Sequence, residues 1–484
     1  MLVGENLCAV SLSIDRPKYL CKTKTMRLTF VIILLMAGMK CMADTHYVSL
    51  SGTNNSPYTT WADAATNPIW AVAEAGSGDT VLVSNGVYYM TNQINDGTSL
   101  TLRSVNGRDV TILNGANATT SRCLNLTSAS AVFDGFTVTN YSTKGNDGVL
   151  VGATFLNCTF ISNRTSNIGI NTGGRGMVTP LSGGVISNCI FKYNVNNYGG
   201  GIYGGADHNL KILGCRFEGN SGTYGGGCVL NSCTNAIVSN CVFTGNNGQN
   251  RGGGVYILYG LDNSVLNCTV ISNVVNSGDG KGAGINMYYS GIIKDCTIVD
   301  NTAKNAGGGI HSGEFSASGS HVTIINCLIA RNQASTNVGG GVWLGTGTVE
   351  NCTIVSNYAQ VAGGGFYIST NGGGTNNIIY FNTADIEPSA ANFTNTSGNT
   401  GLNYCCVIPA VDGAGNITND PALKDLAGGD YRLRLNSPCV NAGTNQPWMT
   451  GAVDLDGNAR IRYGIVDLGA YEAVLRQGNI YRVH

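Results

Sequence analysis

Apolar and polar positions alternate along the middle of the chain, and glycine or asparagine breaks the alternation every few residues. Phe155, Ile186, Ile212, Val238, Val265, Ile293, Ile324 and Val349 each stand three residues before a cysteine. Phe160, Phe191, Phe217, Phe243, Val270, Ile298, Ile329 and Ile354 stand two residues after one. A period of two in short β-rich runs predicts strands with one face in a core. No segment of this region keeps a helical period long enough for a helix-pair repeat.

The cysteines count the repeat. Cys158, Cys189, Cys215, Cys241, Cys268, Cys296, Cys327 and Cys352 are each followed five residues later by asparagine, at steps of 31, 26, 26, 27, 28, 31 and 25 residues. A ninth unit keeps the asparagine and loses the sulfur, Asn377 with Asn382, and "VFDGFTVTN", ending at Asn140, is out of step by one. Interleaved with them are triple glycines starting at Gly199, Gly225, Gly252, Gly307, Gly339 and Gly363, and "GAG" at Gly282. A period of this length signals a solenoid or array. One coil of about 25 residues with about three short strands predicts a parallel β-helix, each strand pairing one coil on at ~4.8 Å. Stacking puts like above like. Cysteine then forms an inner column. Asparagine takes the left-handed corner and bonds along the stack. The glycines supply positive φ at the opposite corner.

"GGGI" and "GGGV", combined with "CxFxxN" and "CTIxxN", resemble the right-handed parallel β-helix repeats of the pectate-lyase-like superfamily. That group includes bacterial surface proteins with GGA(I/L/V) and FxxN repeats; "FISN", "FKYN", "FEGN" and "FTGN" match the second element. The resemblance covers residues 130–385 and implies an all-β, right-handed parallel β-helix of about ten coils.

The ends carry other signals. Residues 1–43 read as an export segment: Lys18, Lys22, Lys24 and Arg27 precede the apolar run Leu28–Gly38, and "CMA" at Cys41–Ala43 offers a cleavage site. Met26 is an alternative start. In residues 44–129, Asn67 as N-cap, Pro68 as first helical residue and Gly76 beyond the end predict a short capping helix, with Thr80–Val83 as the first strand. Residues 386–484 are expected to form an irregular C-terminal cap; "SPCVNAGT" and "VDLGAYE" resemble the segment that bacterial β-helix proteins with a choice-of-anchor domain carry there. Ala473–His484 has no apolar span, so no transmembrane segment is expected in the exported chain.

Composition narrows the function. Charged residues are 11% of the chain and the net charge is −1, which argues against nucleic acid or an anionic membrane as partner. Of 17 cysteines, the eight in the ladder point the same way and are expected to stay reduced, while Cys439 with Cys405 or Cys406 is a reasonable bridge. "DLDGN", Asp454–Asn458, lacks the distal glutamate of a calcium loop and reads as a turn. The many "NCT" triplets follow from the repeat.

Two groups carry candidate chemistry. Asp279, Lys281, His311 and Glu314 come from adjacent coils near one corner; a lyase would use Lys281 or His311 as base, with calcium on the carboxylates. A solvated turn is the plain alternative. None of the Asn-Thr-Asp, Asp-Asp, Gly-His-Gly or Arg-Ile-Lys motifs of polygalacturonase-type members occurs. The second group follows from alternation. If the residue after the glycines points in, the next points out, giving Tyr203, Val229, Tyr256, Asn286, His311, Trp343 and Tyr367, with Tyr288 beside them. Such a strip suits stacking of sugar rings; its alternative is rings that only stiffen the sheet. The leading expectation is therefore a secreted or surface β-helix that recognises a polysaccharide or partner. A polysaccharide lyase or hydrolase competes with it, and so does a passive structural rod.

Overall fold

The computed structural model describes residues 43–116, 122–143, 150–165, 178–206, 208–314, 321–397 and 401–474; the expected export segment lies outside them. One coil shows how the alternation becomes structure. Val255–Leu258, Asn263–Leu266, Thr269–Ile271 and Val274–Val275 are four short strands separated by bends. Each pairs in parallel with its counterpart in the next coil: Val255 with Ile285, Val265 with Ile293, Val270 with Ile298 and Val274 with Thr302. Repetition builds three parallel sheets of 22, 13 and 10 strands among the described residues, a solenoid of about 11 turns. Sheet A takes the first two strands of each coil, sheet B the third and sheet C the fourth.

The inward columns are those the alternation predicts. Phe160, Phe191, Phe217 and Phe243 stack face to face, with centroids 4.9, 4.8 and 4.5 Å apart. Asparagine solves the polar problem of the interior. Asn273 Nδ2 donates to the Phe243 carbonyl at 3.0 Å and to Asn301 Oδ1 at 3.0 Å, and its backbone N–H donates to the same oxygen at 2.9 Å. The side-chain file continues without a gap from Asn163 to Asn392. These asparagines are not the left-handed residues, contrary to expectation. From Asn163 to Asn382 the residue before each takes that conformation, as at Ser272, Asp300 and Arg331. The amide is free to bond along the stack because its neighbour makes the turn.

At the opposite corner Gly252 has φ +58, while Gly253 serves close approach: a Cβ there would lie 2.5 Å from the Ala283 carbonyl oxygen. "VFDGFTVTN" falls out of step because Asn140 fills the left-handed site and Tyr141 the ladder position, its N–H bonding Asn163 Oδ1 at 3.1 Å.

All 14 described cysteines are free and buried. Cys268 Sγ donates to the Leu266 carbonyl at 3.2 Å, as its ladder counterparts do two residues back in their own coils. The bridge from Cys439 to Cys405 or Cys406 is not formed. Cys405 instead belongs to the inner column, one coil beyond Asn377, whose backbone N–H bonds its sulfur at 3.4 Å.

The ladders extend past the repeat at both ends. Thr45–Val48 precedes the strand expected to be first and pairs with Thr80–Val83 in register. The expected helix spans Pro68–Glu74, with Asn67 Oδ1 accepting from the Ile69 N–H at 3.0 Å, and packs against Thr45–Val48, Thr80–Val83 and Ile94–Asp96. Much of the C-terminal segment lies along the outer face of sheet B. Leu423, Tyr431, Leu433, Cys439 and Leu468 cluster there with Val299, Leu328, Ala330, Val355 and Ile378. Asparagines of successive coils hold it: Asn326 Nδ2 bonds the Val453 carbonyl at 3.0 Å, Asn351 Nδ2 that of Asp467 at 3.1 Å, and Asn376 Nδ2 that of Thr444 at 2.8 Å.

Candidate functional site: a tyrosine cleft and an ion-pair quartet

Strand register fixes the outward column. Tyr203, Val229, Tyr256, Asn286, His311, Trp343 and Tyr367 are successive partners on sheet A. Its exposure departs from expectation. Tyr203, Trp343 and Tyr367 are half-buried, but Tyr256 is only 3% exposed and Asn286 and His311 are fully buried. The continuous open strip is thus interrupted in its middle, because side chains of the glycine corner lean over it.

Those side chains make a cleft of about 340 Å³. Tyr256 and Val229 form its floor. Tyr198 and Tyr224 come from the corner, each immediately before a triple glycine, and stack at 5.0 Å; Tyr224 in turn stacks on Tyr256 at 6.1 Å. A file of three rings therefore bypasses the gap that Val229 leaves. Tyr259, 55% exposed, and the half-buried Tyr288 supply rings on the other side, 6.0 Å apart and edge to face. Asn231 Nδ2 donates to the Tyr203 hydroxyl at 2.9 Å, and Arg251 lies over the Tyr288 ring at 5.2 Å. Burial pushes the Tyr256 hydroxyl well above its ordinary pKa, so it stays protonated at neutral pH.

Tyr198, Tyr224 and Arg251 were not among the sequence candidates. The signal was present one position away: the residue before each glycine triplet reads Tyr198, Tyr224, Arg251, Lys281, Ala306, Val338 and Ala362. Two rings and two cations share one corner at one-coil spacing.

Asp279, Lys281 and Glu314 do converge, around Arg251. Glu314 accepts from Arg251 Nη1 at 2.7 Å and from Lys281 Nζ at 2.6 Å. Asp279 pairs with Arg251 and, at 3.3 Å, with Lys281. Each cation thus meets both carboxylates and the formal charge cancels. A lyase base would have to leave this network, and calcium would have to displace two cations from the same oxygens. His311 stands apart from the network's hydrogen bonds. It lies flat on Trp343, and burial, aided by the Lys281 and Arg251 charges, holds its imidazole neutral. Asp454 of "DLDGN" closes a turn, its carboxylate accepting from the backbone N–H groups of Asp456, Asn458 and Glu472. Among the described residues no helix is long and apolar enough to cross a membrane.

Residues 142–329 match the family model described as right handed beta helix region. No curated protein matches the sequence. Among solved structures, pectate lyase Pel9A aligns at 14% identity over 89% of this chain and 98% of its own, with a TM-score of 0.39. The Dettilon tailspike protein aligns at 11% identity over 73% of this chain and 70% of its own, TM-score 0.36. A mannuronic acid specific polysaccharide family 6 lyase from human gut microbiota aligns at 12% identity over 68% and 87%, TM-score 0.35. The match over residues 142–329, with the parallel ladders and the asparagine file, identifies the fold as a right-handed parallel β-helix.

Proposed function

We propose that the protein is exported and binds a polysaccharide in the tyrosine cleft. One observation carries this reading: rings of Tyr198, Tyr224, Tyr256, Tyr259 and Tyr288 line one recess together with Asn231 and Arg251. Sugar rings present apolar C–H faces that pack on aromatic surfaces, while their hydroxyls need donors and acceptors at the rim. The cleft offers both. The neutral sum of the quartet beside it suits an uncharged chain better than an acidic one. Export rests on the apolar run Leu28–Gly38 and the basic residues before it.

Glycan-array binding of the wild type, Tyr224→Ala and Tyr259→Ala tests it. Each truncation is expected to weaken binding by about 1 kcal/mol, roughly fivefold in Kd. Undiminished binding by both variants would remove the cleft from consideration.

The competing reading, a lyase or hydrolase of polysaccharides, draws on the convergence of Asp279, Lys281 and Glu314. A screen of polyuronides for unsaturated products, with and without calcium, separates the two; product formation that Lys281→Ala abolishes would favour the enzyme.

A further inference from the structure

The open cleft stops at Arg251 and Tyr288, but the outward column continues. Asn286 and His311 follow Tyr256 in register. Both are fully buried, and Asn286 Oδ1, His311 Nδ1 and His311 Nε2 have no hydrogen-bond partner. Asn286 is held by its other end, Nδ2 reaching the Lys281 carbonyl at 3.3 Å. The large majority of buried side-chain polar atoms in folded proteins are paired. Three unpaired atoms on two successive rungs therefore mark a place built for something else.

The three atoms define what fits. A neutral imidazole presents one donor and one acceptor, and Asn286 Oδ1 adds an acceptor. Two adjacent hydroxyls complement this set, because each both donates and accepts. A carboxylate or sulfate does not, because it has no proton for Asn286 Oδ1. Arg251, Lys281, Asp279 and Glu314 form the network between this pair and the open cleft. Their side chains are 15–40% exposed, so the ion pairs are part-buried and within reach of screening by salt.

We propose that Asn286 and His311 form a closed subsite that continues the tyrosine cleft and takes the vicinal hydroxyls of a neutral sugar, with the Arg251–Glu314 ion pair as the movable partition. The identity of the ligand rests on the polysaccharide reading; the partition does not.

Diethyl pyrocarbonate acylates an unprotonated imidazole nitrogen wherever it can reach one, and peptide mass spectrometry locates the adduct. His208, which is exposed, serves as internal control. In wild type at low salt His311 should react far more slowly than His208. Glu314→Gln, or wild type in about 1 M salt, where the screening length falls to ~3 Å, should raise the His311 rate by roughly threefold or more and leave His208 unchanged. An unchanged His311 rate in both arms overturns the partition; the salt arm needs no variant to fold. Neutral hexasaccharides of glucose, mannose and xylose are then added to Glu314→Gln. Protection of His311 by a sugar that binds supports the subsite. Binding that leaves His311 unprotected overturns it. Failure of all three sugars to bind counts against the polysaccharide reading, with the partition decided separately by the reagent.

Discussion

His311 and Trp343 lie face to face one coil apart, with ring centroids 4.1 Å apart and planes 6° from parallel. The contact is apolar in kind although one partner is an imidazole, because neither ring nitrogen of His311 bonds anything. His311→Phe keeps the stacked pair and removes two orphaned polar atoms. It is expected to stabilise the fold by about 1–2 kcal/mol, seen as a higher melting temperature, while abolishing any sugar contact at that rung. A lower melting temperature would mean that the nitrogens are satisfied in solution.

The asparagine file makes a sharper demand. Asn273 Oδ1 accepts from both the backbone N–H and Nδ2 of Asn246, and its own Nδ2 serves Phe243 and Asn301. Asn273→Ala strands several buried groups at once and is expected to cost about 3 kcal/mol or more. The denaturation midpoint measures it. A loss near ~1 kcal/mol would indicate that water takes over the vacated bonds.

Thiol chemistry gives a third expectation. Burial pushes the Cys123 thiol and the Cys405 thiol up to about 12. At pH 8 roughly one thiol in ten thousand would then be ionised at these sites. Native protein should leave both unmodified by Ellman's reagent, and denatured protein should expose the 14 described cysteines together. Rapid labelling of Cys405 in the native state would contradict the inner-column placement.

The C-terminal segment should respond to pH. Burial pushes the Glu472 carboxyl up to about 8, against the pull of Arg460 at 3.2 Å, and raises that of Asp467 as well. A raised folded-state pKa favours the protonated form. The stability contributed by Glu472 is therefore complete below about 4.5 and is lost as pH climbs through about 8. Proteolysis of the segment should be slower near pH 5 than near pH 8.5, after correction for the protease's own profile, and Glu472→Gln should flatten the difference. An unchanged slope in that variant would place the titration elsewhere.

The inner columns were readable because the interior repeats. Phe243, Val270 and Ile298 have the same surroundings in each coil, so chain spacing alone puts them in line. The cleft was readable only in part. Alternation gave Tyr203 and Tyr256 their direction but carried no information on what leans over them, and the decisive rings, Tyr198 and Tyr224, sit in a bend where period two does not apply. The flanking C-terminal segment left a legible trace. Outward residues of sheet B change from Arg216 and Glu218 to Leu328 and Ala330. Apolar outward positions on a sheet require a cover, and Leu423, Tyr431 and Leu433 provide it.

That cover sets where the solenoid can change length. A duplicated coil between Asn163 and Asn246 would splice into the asparagine file with every rung matched and nothing outside disturbed. The same duplication between Asn376 and Leu402 would shift Asn326, Asn351 and Asn376 by one rung against Val453, Asp467 and Thr444, and each of these tethers would lose its present partner. Growth by unit insertion is open to the turns before Asn326, and the turns that the C-terminal segment spans are held at their present number.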